Sequence, residues 1–457
     1  MEKDKQSSLV MIACVLALAP TALSKIIYVD DDAPSGGDGS SWASACQFPQ
    51  DALGVARTIQ KPVEIRVAQG VYRPDRGIDQ IPGNHSATFT LIDGVILKGG
   101  YAGVLTPDPN TRDVYRHRTV LSGDLLGNDL PTGLPESLLR ERTRFDNSIH
   151  VVTGVRVTSA AVLDGFAITG GYHSAIQRDG DLQGGPGIRL INASPTIANC
   201  WLHGNYIRAG GGGALFNSEG SRPTLINCIF SENTAGRGGA ICNWDTSKAK
   251  VVNCTFYNNW AGRGGAIYNR CVVSNCILWG NQPKEIDQDK FGPDVTYSDV
   301  AGGWPGEGNV DVDPCFVKVG YWADPNNVGV PVDPNRPNAV WIDGDYHLKS
   351  QAGRWDPSSQ SWIKDDVTSP CIDTGDPASP VGYEPFPNGG RINMGAYGGT
   401  TEASKPYFGE SVCETIMAGD INGDCRVDFT DLALMASHWL WDADALPIQP
   451  SSDQTKR

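Results

Sequence analysis

Short apolar segments separated by Asn and Gly turns run through the middle of the chain. Their apolar residues are mostly β-branched, aromatic or Cys, and they lack the periodicity of an amphipathic helix. In one segment Cys254 and Phe256 share one face of a strand. Val251 lies three positions before the Cys, so in a straight strand its side chain would point to the opposite face. The chain must therefore bend at Asn253, because Asn tolerates a left-handed backbone better than other non-glycine residues. Each unit is predicted to form a strand, an Asn bend, a second strand, an Asn turn, a glycine loop and a third strand.

This pattern recurs at a regular spacing. The motif Asn-Cys-x4-Asn occurs four times, with its cysteines 22 to 28 residues apart, and Gly-Gly-Ala-(Leu/Ile) occurs between its copies. The first residues of the motif, here called the bend asparagines, are Asn199, Asn227, Asn253 and Asn275. The residues that follow them, here called the column cysteines, are Cys200, Cys228, Cys254 and Cys276. Such a period, with three short strands and no helix, predicts an all-β parallel β-helix, a solenoid of three sheets.

Stacking of successive coils about 4.8 Å apart gives the repeated residues structural roles. The bend asparagines are expected to hydrogen-bond along the stack as a ladder, and the column cysteines to form an internal column. Two interpretations of the cysteines remain. They pack as small buried side chains, which we favour, or they form disulfides between coils, whose spacing permits them. A zinc site is disfavoured, because one Cys per coil lacks the paired spacing of zinc ligands.

The N-terminal residues are typical of a secretory signal peptide. Lys3 and Lys5 precede an apolar run over residues 9–19, and the small residues at 22–24 suit cleavage, so residues 1–24 are assigned to the signal. A lipoprotein interpretation at Cys14 is weaker, because the apolar run continues beyond it. We therefore expect a secreted or cell-surface protein with no transmembrane segment after cleavage.

The rest of the chain divides according to the regularity of its repeats. A cap with a short helix at 48–56 is expected to cover the first coil, where strand edges would otherwise be exposed. Strand-like runs and islands at 63–67, 88–99, 148–153, 161–170, 345–348, 369–377 and 393–399 flank the regular repeats. The predicted units are a β-helix at 25–400 (cap 25–75, most regular coils 184–281, final coils and cap 340–400), a linker at 401–417, a calcium module at 418–445 and a polar tail at 446–457.

Composition narrows the classes of partner. The net charge of −15 disfavours nucleic acid and anionic surfaces. It suits an extracellular setting rich in calcium. The chain contains 12 Trp and 14 Tyr, which can stack on sugars when exposed, although core and loop packing explains most of them.

One segment near the C-terminus has the pattern of a calcium-binding loop. Oxygen-bearing side chains stand at positions 1, 3, 5, 9 and 12 of a twelve-residue loop, and position 7 offers its backbone carbonyl. The predicted ligands are Asp420, Asn422, Asp424, Arg426 through its carbonyl, Asp428 and Asp431. An amphipathic helix is expected directly after the loop, because apolar residues from Leu432 to Leu440 recur with helical spacing. Together they predict a calcium module.

The loop and helix, ending in His438-Trp439-Leu440, resemble a type I dockerin repeat. This resemblance implies calcium binding and docking onto a cohesin-like or cell-envelope partner. Two departures weaken the docking implication: only one repeat is present, and position 6, usually Gly, is Cys425. A disulfide between Cys425 and Cys413 is one way in which the loop would be braced.

Residues 25–400 resemble the secreted right-handed parallel β-helix proteins of planctomycete-type bacteria. The resemblance rests on the two repeated motifs, on Leu163-Asp164-Gly165-Phe166 and on Ser369-Pro370-Cys371-Ile372-Asp373. The Gly-Gly-Ala-Ile repeats with Phe-x-x-Asn are also similar to those of chlamydial polymorphic membrane proteins. The resemblance implies an architecture, since β-helices carry many functions.

Three functions remain open after this reasoning. The preferred one is a secreted protein that binds carbohydrate or matrix and attaches through its calcium module. The alternatives are a polysaccharide lyase or glycoside hydrolase, and an adhesin-like rod. Carboxylates and Arg or Lys in one groove would favour the enzyme. The best local candidate is Arg178-Asp179-Gly180-Asp181, with Arg189 nearby. A solvated loop explains this pattern more simply, so no catalytic residue is assigned.

Overall fold

The computed structural model describes residues 25–130, 141–174, 184–289, 291–333, 336, 339–409, 419–421 and 426–438. The predicted signal peptide (1–24) and polar tail (446–457) lie outside these residues. The described chain winds into a parallel β-helix, as the repeats predict. Each coil adds one strand to each of three sheets, and successive coils pair in parallel.

Nine strands form the first sheet, eight the second and seven the third. The strands of the first sheet are Lys25–Val29, Val63–Ala68, Val95–Tyr101, Val162–Asp164, Thr196–Ala198, Thr224–Ile226, Ala249–Val252, Cys271–Ser274 and Asp294–Thr296. Those of the second are Gly70–Tyr72, Thr119–Ser122, Ala167–Thr169, Trp201–His203, Ile229–Ser231, Thr255–Tyr257, Ile277–Trp279 and Asp299–Val300. Those of the third are Phe89–Thr90, Val152–Val155, Ile188–Ile191, Leu215–Ser218, Ile241–Asn243, Ile267–Tyr268 and Ile286–Asp287.

A short fourth sheet, which the sequence did not predict, lies between the second and third sheets. Its four strands are Tyr172–His173, Tyr206–Ile207, Thr234–Arg237 and Trp260–Arg263. The last three of them precede the three Gly-Gly-Ala motifs. The first Gly of these motifs has a positive φ, and a Cβ on the second would contact backbone of the next coil at 2.4 to 2.5 Å. Glycine is therefore required where the chain turns into the third sheet.

The first coil is covered by a helix, Pro49–Thr58, close to the predicted position. Pro49 suits the first turn, where its missing N–H costs nothing. Ala52, Leu53 and Ala56 are buried against the first strands. Two short 3-10 helices, Trp42–Ser44 and Arg142–Asp146, lie in loops.

The interior of the solenoid is a set of apolar columns. Phe230 and Phe256 stack in adjacent coils with ring centroids 4.6 Å apart and planes within 4°. The column cysteines are buried, and all nine cysteines of the described residues are free thiols. The backbone N–H of Cys228 donates to Cys254 Sγ at 3.4 Å. The described cysteines therefore pack and do not cross-link.

The asparagine ladder involves the other Asn of each motif, and this corrects the sequence prediction. Asn205, Asn233, Asn259 and Asn281 are buried, and each donates from Nδ2 to Oδ1 of the next at 2.7 to 3.0 Å, until Asn281 reaches Glu285. The bend asparagines do have the expected left-handed φ, between 48° and 54°. Their side chains point outward, however, and only Asn275 reaches another of them, Asn253 at 3.4 Å. A left-handed bend directs its side chain away from the stack interior.

Residues 313–409, here called the C-terminal segment, do not form the final coils that the sequence predicted at 340–400. The described part contains antiparallel strands in place of further parallel ones. These strands are Phe316–Lys318, Tyr321–Asp324, Asn327–Pro331, Val340–Ile342, Asp345–Leu348, Arg354–Asp356 and Ser361–Ile363. The segment packs along the outer face of the second sheet, where it buries Trp201, Ile229 and Ile277.

Three of the four bend asparagines anchor this segment. Asn227 Nδ2 donates to the carbonyls of Ala396 and Gly398, both at 2.8 Å. Asn253 Nδ2 donates to the carbonyl of Asn393 at 2.9 Å, and Asn275 Nδ2 donates to Ser379 Oγ at 3.1 Å. These residues turn their coils and also hold the chain that returns along the flank.

A second α-helix, Phe429–His438, lies within residues 418–445, where the sequence predicts a calcium module. The segment that carries Gly390 lies beside Leu434 of this helix, since a Cβ on Gly390 would meet the Leu434 side chain. Within the described residues, no helix combines the length and apolar character needed to cross a membrane.

Candidate functional site

A cleft of about 530 Å³ lies between the outer face of the second sheet and the C-terminal segment. One wall is formed by Trp201 and Ile229 of the second sheet. The loop before the sheet's Thr119–Ser122 strand and the C-terminal segment supply the other walls. Their main contributors are Tyr115, Arg116, Arg118, Asp345, residues 357–360 and Tyr397. The cleft therefore combines aromatic surfaces with charged hydrogen-bonding groups.

An ion pair joins the two walls of the cleft. Arg118 Nη1 lies 3.0 Å from Asp343 Oδ2, and the same guanidinium stands over the Trp201 ring at 4.6 Å from its centroid. At the mouth, Arg116 Nη1 donates to Gln360 Oε1 at 3.0 Å. Because both residues of this contact are exposed, Arg116 can exchange it for a bound ligand at little cost.

A buried histidine organises the floor of the cleft. His347 Nδ1 lies 2.5 Å from Asp345 Oδ1, and its Nε2 lies 3.2 Å from Glu402 Oε2. Its ring stacks on Tyr397 with centroids 3.5 Å apart. Burial alone would lower the pKa of His347, but the hydrogen bonds to Asp345 and Glu402 outweigh it and raise the pKa above its usual value. These contacts fix the orientation of both Asp345 and Tyr397.

A second polar group lies behind Trp201. The indole Nε1 donates to Ser231 Oγ at 2.8 Å, and Glu232 follows directly. Tyr346 meets the indole edge-on at 6.4 Å, and the His203 ring lies 5.2 Å from it. Burial raises the pKa of the Glu232 carboxyl well above its usual value and lowers the pKa of His203 to about 4. His203 is therefore mainly neutral near pH 7, and burial favours the protonated form of Glu232.

Four of the six predicted calcium ligands are described: Asp420, Arg426, Asp428 and Asp431. Asn422 and Asp424 lie outside the described residues. Asp420 and Asp431 are buried. Asp431 accepts the backbone N–H of Ile421 at 2.6 Å and of Asp428 at 2.7 Å, so it closes the loop upon itself. Asp420 and Asp431 supply oxygen donors of the kind that a hard cation such as calcium prefers, although both oxygens of Asp431 already accept backbone N–H groups.

Another acidic group, Asp30, Asp31 and Asp32, could also be considered for a metal. One ligand oxygen from each lies within 4.8 Å of the others. Asp30, however, already accepts the backbone N–H groups of Asp32 at 3.0 Å and Val104 at 2.6 Å. Its hydrogen bonds explain this cluster as a turn that joins two loops.

The local catalytic candidate receives no support from the described residues. Residues 178–181 lie outside them. Arg189 lies on the third sheet, where its Nη1 is 3.3 Å from His150 Nε2, on a different sheet from the cleft.

Sequence reasoning missed the cleft because its residues come from three distant parts of the chain. Arg118 and Asp343 are 225 positions apart, and His347 and Glu402 are 55 apart. The only local signal was the island at 345–348, where Asp and His occur two positions apart. That island was interpreted as a strand of a coil, which left its polar residues without a role.

The chain matches known families over two stretches. Residues 144–299 match the family described as "Right handed beta helix region", and residues 323–375 match the family described as "Disaggregatase related". The first match covers the regular coils, and the second lies within the C-terminal segment. The protein is thus a right-handed parallel β-helix protein. No curated protein matches the chain.

Solved structures with a similar architecture share little sequence with this chain. The pectin methylesterase from Aspergillus niger is 13% identical, with 64% of this chain and 88% of that chain covered and a TM-score of 0.30. The pectate lyase Pel9A is 13% identical (82% and 96% covered, TM-score 0.25), and a rhamnogalacturonan lyase is 12% identical (71% and 96%, TM-score 0.31). Similarity at this level carries no inference about activity.

Proposed function

We propose that this protein is a secreted or cell-surface β-helix protein that binds carbohydrate in the cleft and attaches to its surroundings through the calcium module. The observation that carries this proposal is the cleft itself. The lining combines small exposed parts of Trp201 and Tyr397, each 8% exposed, with hydrogen-bonding groups of Arg116, Asp345 and Gln360, and polyhydroxylated ligands use both kinds of contact.

A direct test is calorimetric titration with a panel of soluble neutral and uronic oligosaccharides. Arg116→Ala is expected to weaken binding about tenfold, because it removes a charged donor at the mouth without disturbing a buried contact. Arg222→Ala, also exposed but outside the cleft lining, is the matched control and should bind as the wild type. If Arg116→Ala bound the oligosaccharides as tightly as the wild type, the cleft would not be the binding site.

A polysaccharide-degrading enzyme is the second candidate function. It is favoured by the presence of Arg116, Arg118, Asp343 and Asp345 around one cleft, the arrangement that was expected to distinguish an enzyme from a binding protein. Release of reducing or unsaturated ends from polysaccharides would support it. Turnover that survives both Arg118→Ala and Asp345→Ala would contradict a reaction in this cleft.

Calcium binding by residues 418–445 is part of the proposal. Asp420, Asp428 and Asp431 would hold the ion, with the carbonyl of Arg426 and the side chains of Asn422 and Asp424. The ion would neutralise these carboxylates and stabilise the loop. A cohesin-like or cell-envelope protein is the proposed partner of this module.

Calorimetry with calcium checks this assignment. Asp420→Ala should reduce the affinity at least tenfold, because a charged oxygen ligand is lost. Asp366→Ala, which removes an exposed carboxylate of the C-terminal segment, should leave the titration unchanged. Calcium binding of undiminished affinity in Asp420→Ala would show that the loop is not the site.

A further inference from the structure

Glu232 occupies a backbone position that disfavours its residue type. The residue directly after each second-sheet strand in this part of the stack has a left-handed φ. These residues are Gly170 (74°), Gly204 (63°), Glu232 (56°), Asn258 (54°) and Gly280 (74°). Gly and Asn tolerate this conformation, whereas Glu has no such advantage. Backbone strain of this kind is typical of residues kept for a function.

The Glu232 carboxyl also lacks the contacts that would justify a structural role. Its Oε1 is buried, and it has no hydrogen-bond partner among the described residues. The hydroxyl of Tyr346, a residue only 2% exposed, is likewise buried and makes no hydrogen bond of full geometry among the described residues, although Ser231 lies close enough to interact with it. A buried polar atom without a full partner costs free energy, so these two groups indicate that something else binds there.

Both groups lie next to the wall of the cleft, although neither is among the residues that line it. Ile229 lines the cleft three residues before Glu232, and Trp201 is hydrogen-bonded to the intervening Ser231. Tyr346 touches the edge of the same indole and follows Asp345, another lining residue. Glu232 therefore follows a residue that is bonded to Trp201, and Tyr346 contacts the Trp201 ring itself.

The charges around this position are paired with one another. Arg118 pairs with Asp343, Arg144 with Asp129 at 3.6 Å, and Asp345 with His347. The other titratable groups that face Glu232, Tyr257 and Tyr346, are phenols. Among the described lining residues, Arg116 is the only cation without a charged partner. The carboxylate of a uronate would therefore have a single cation to pair with, so the cleft favours a neutral sugar.

We propose that Glu232 and Tyr346 form an inner subsite of the cleft that binds hydroxyl groups of a neutral sugar unit. A carboxylic acid and a phenol can each donate and accept a hydrogen bond, as a sugar hydroxyl does. The raised pKa of Glu232 agrees with this role, because the protonated acid can donate. This inference rests on the proposed carbohydrate binding.

The test combines stability with binding. Glu232→Asn should bind neutral gluco-, galacto- and manno-oligosaccharides about tenfold more weakly, since one hydrogen-bonding group is lost. The same variant should melt at an equal or higher temperature, because Asn relieves both the backbone strain and the buried carboxyl. Glu232→Gln, which keeps a donor and an acceptor at the same reach, should retain most of the affinity.

Glu219 provides a matched control. It is exposed, has a φ of 54° and follows a third-sheet strand, so Glu219→Asn makes the same backbone change outside the cleft. It should leave binding unchanged. A wild-type protein that binds no oligosaccharide would overturn the proposed function together with this subsite. Binding that Glu232→Asn leaves intact, a lower melting temperature of that variant, or tighter binding of oligogalacturonate than of neutral sugars would overturn the inference alone.

Discussion

Asp373 and Glu384 are buried carboxyl groups of the C-terminal segment that interact with each other. Burial, together with the charge of Glu384, raises the pKa of Asp373 to about 8, although Arg391 opposes the shift. Burial likewise raises the pKa of Glu384 to about 8, against hydrogen bonds from the backbone of Asn393 and Gly399. In an unfolded chain both groups lose their protons near pH 4.

The direction of the resulting pH dependence follows from proton binding. Between about pH 4 and pH 8 the folded protein binds more protons than the unfolded chain, so the free energy of unfolding falls as the pH rises. The stabilisation from the two protonated carboxyl groups is fully present below their pKa in the unfolded chain, and it is lost as the pH rises through their folded pKa of about 8. Asp299 and Glu285, whose pKa values burial raises to about 7, act in the same direction.

Asp373→Asn should therefore flatten the pH profile of stability. Asn is neutral at every pH and accepts the φ of 56° at this position. We expect the variant to exceed the wild type at pH 8 by roughly 1–4 kcal/mol, since one pKa unit corresponds to about 1.4 kcal/mol and the two carboxyls are coupled. Urea unfolding at pH 5 and pH 8 measures this difference.

The exposed Asp366 gives the control for this measurement. Asp366→Asn should leave the profile parallel to that of the wild type. A steeper fall between pH 5 and pH 8 in Asp373→Asn, or a profile identical to that of the wild type, would contradict a buried, protonated Asp373.

The asparagine ladder shows how a single element holds adjacent coils together. Asn233 donates to the carbonyl of Leu202 at 2.8 Å and to Asn259 Oδ1 at 2.9 Å, and it accepts from Asn205 Nδ2 at 3.0 Å. Each buried amide thus joins its own coil to both neighbours. Loss of one amide leaves several buried groups unpaired.

Asn233→Ala is accordingly expected to lower the free energy of unfolding by about 2–4 kcal/mol. Asn199→Gly is the comparison, because it removes an amide that bonds only to Asp164 at the surface and keeps the left-handed bend at φ 50°. Its cost should stay below about 1 kcal/mol. Urea titration measures the loss of free energy of unfolding in both variants. Equal losses would show that a ladder asparagine stabilises the protein no more than a bend asparagine does.

The coils could be predicted from sequence because their contacts are periodic. Each repeated residue contacts its own counterpart in the next coil. Alternate residues of a strand point to opposite faces, so the repeated apolar positions identify the inward face. The choice between the two Asn columns could not be made this way. Both columns have the same period, and only the direction of the side chain after a left-handed residue separates them. The fourth sheet was missed because two of its strands have only two residues, and the other two, Thr234–Arg237 and Trp260–Arg263, contain Gly and Arg, which give no apolar alternation.

The cleft depends on the whole molecule and not on any one element. It exists because the C-terminal segment returns along the flank of the solenoid instead of extending it. Arg118 and Asp343 meet only in the assembled protein, as do Asn253 and Asn393. Non-local contacts of this kind leave no period in the sequence, which is why the segment was predicted as further coils.

The anchoring of the C-terminal segment by the bend asparagines can be tested through local opening. Asn253→Gly keeps the φ of 48° but removes the amide that holds the carbonyls of Asn393 and Gly395. Hydrogen exchange of residues 393–398 should become about tenfold or more faster, because one buried hydrogen-bonding group is lost from a locally opening unit. Exchange in the strands Thr224–Ile226 and Thr255–Tyr257 should stay slow, since their ladders are untouched.

Asn199→Gly separates anchoring from a general effect of Gly at a bend. It makes the same backbone substitution at an asparagine whose amide bonds to Asp164 and to no residue of the described C-terminal segment. Its exchange at 393–398 should match that of the wild type. If Asn253→Gly instead accelerated exchange throughout the coils, the bend asparagine would be holding the solenoid itself. Faster exchange confined to residues 393–398 would mean that the C-terminal segment can open while the coils stay folded. Ligand binding in the cleft should then slow exchange at 393–398, because Tyr397 lines the cleft.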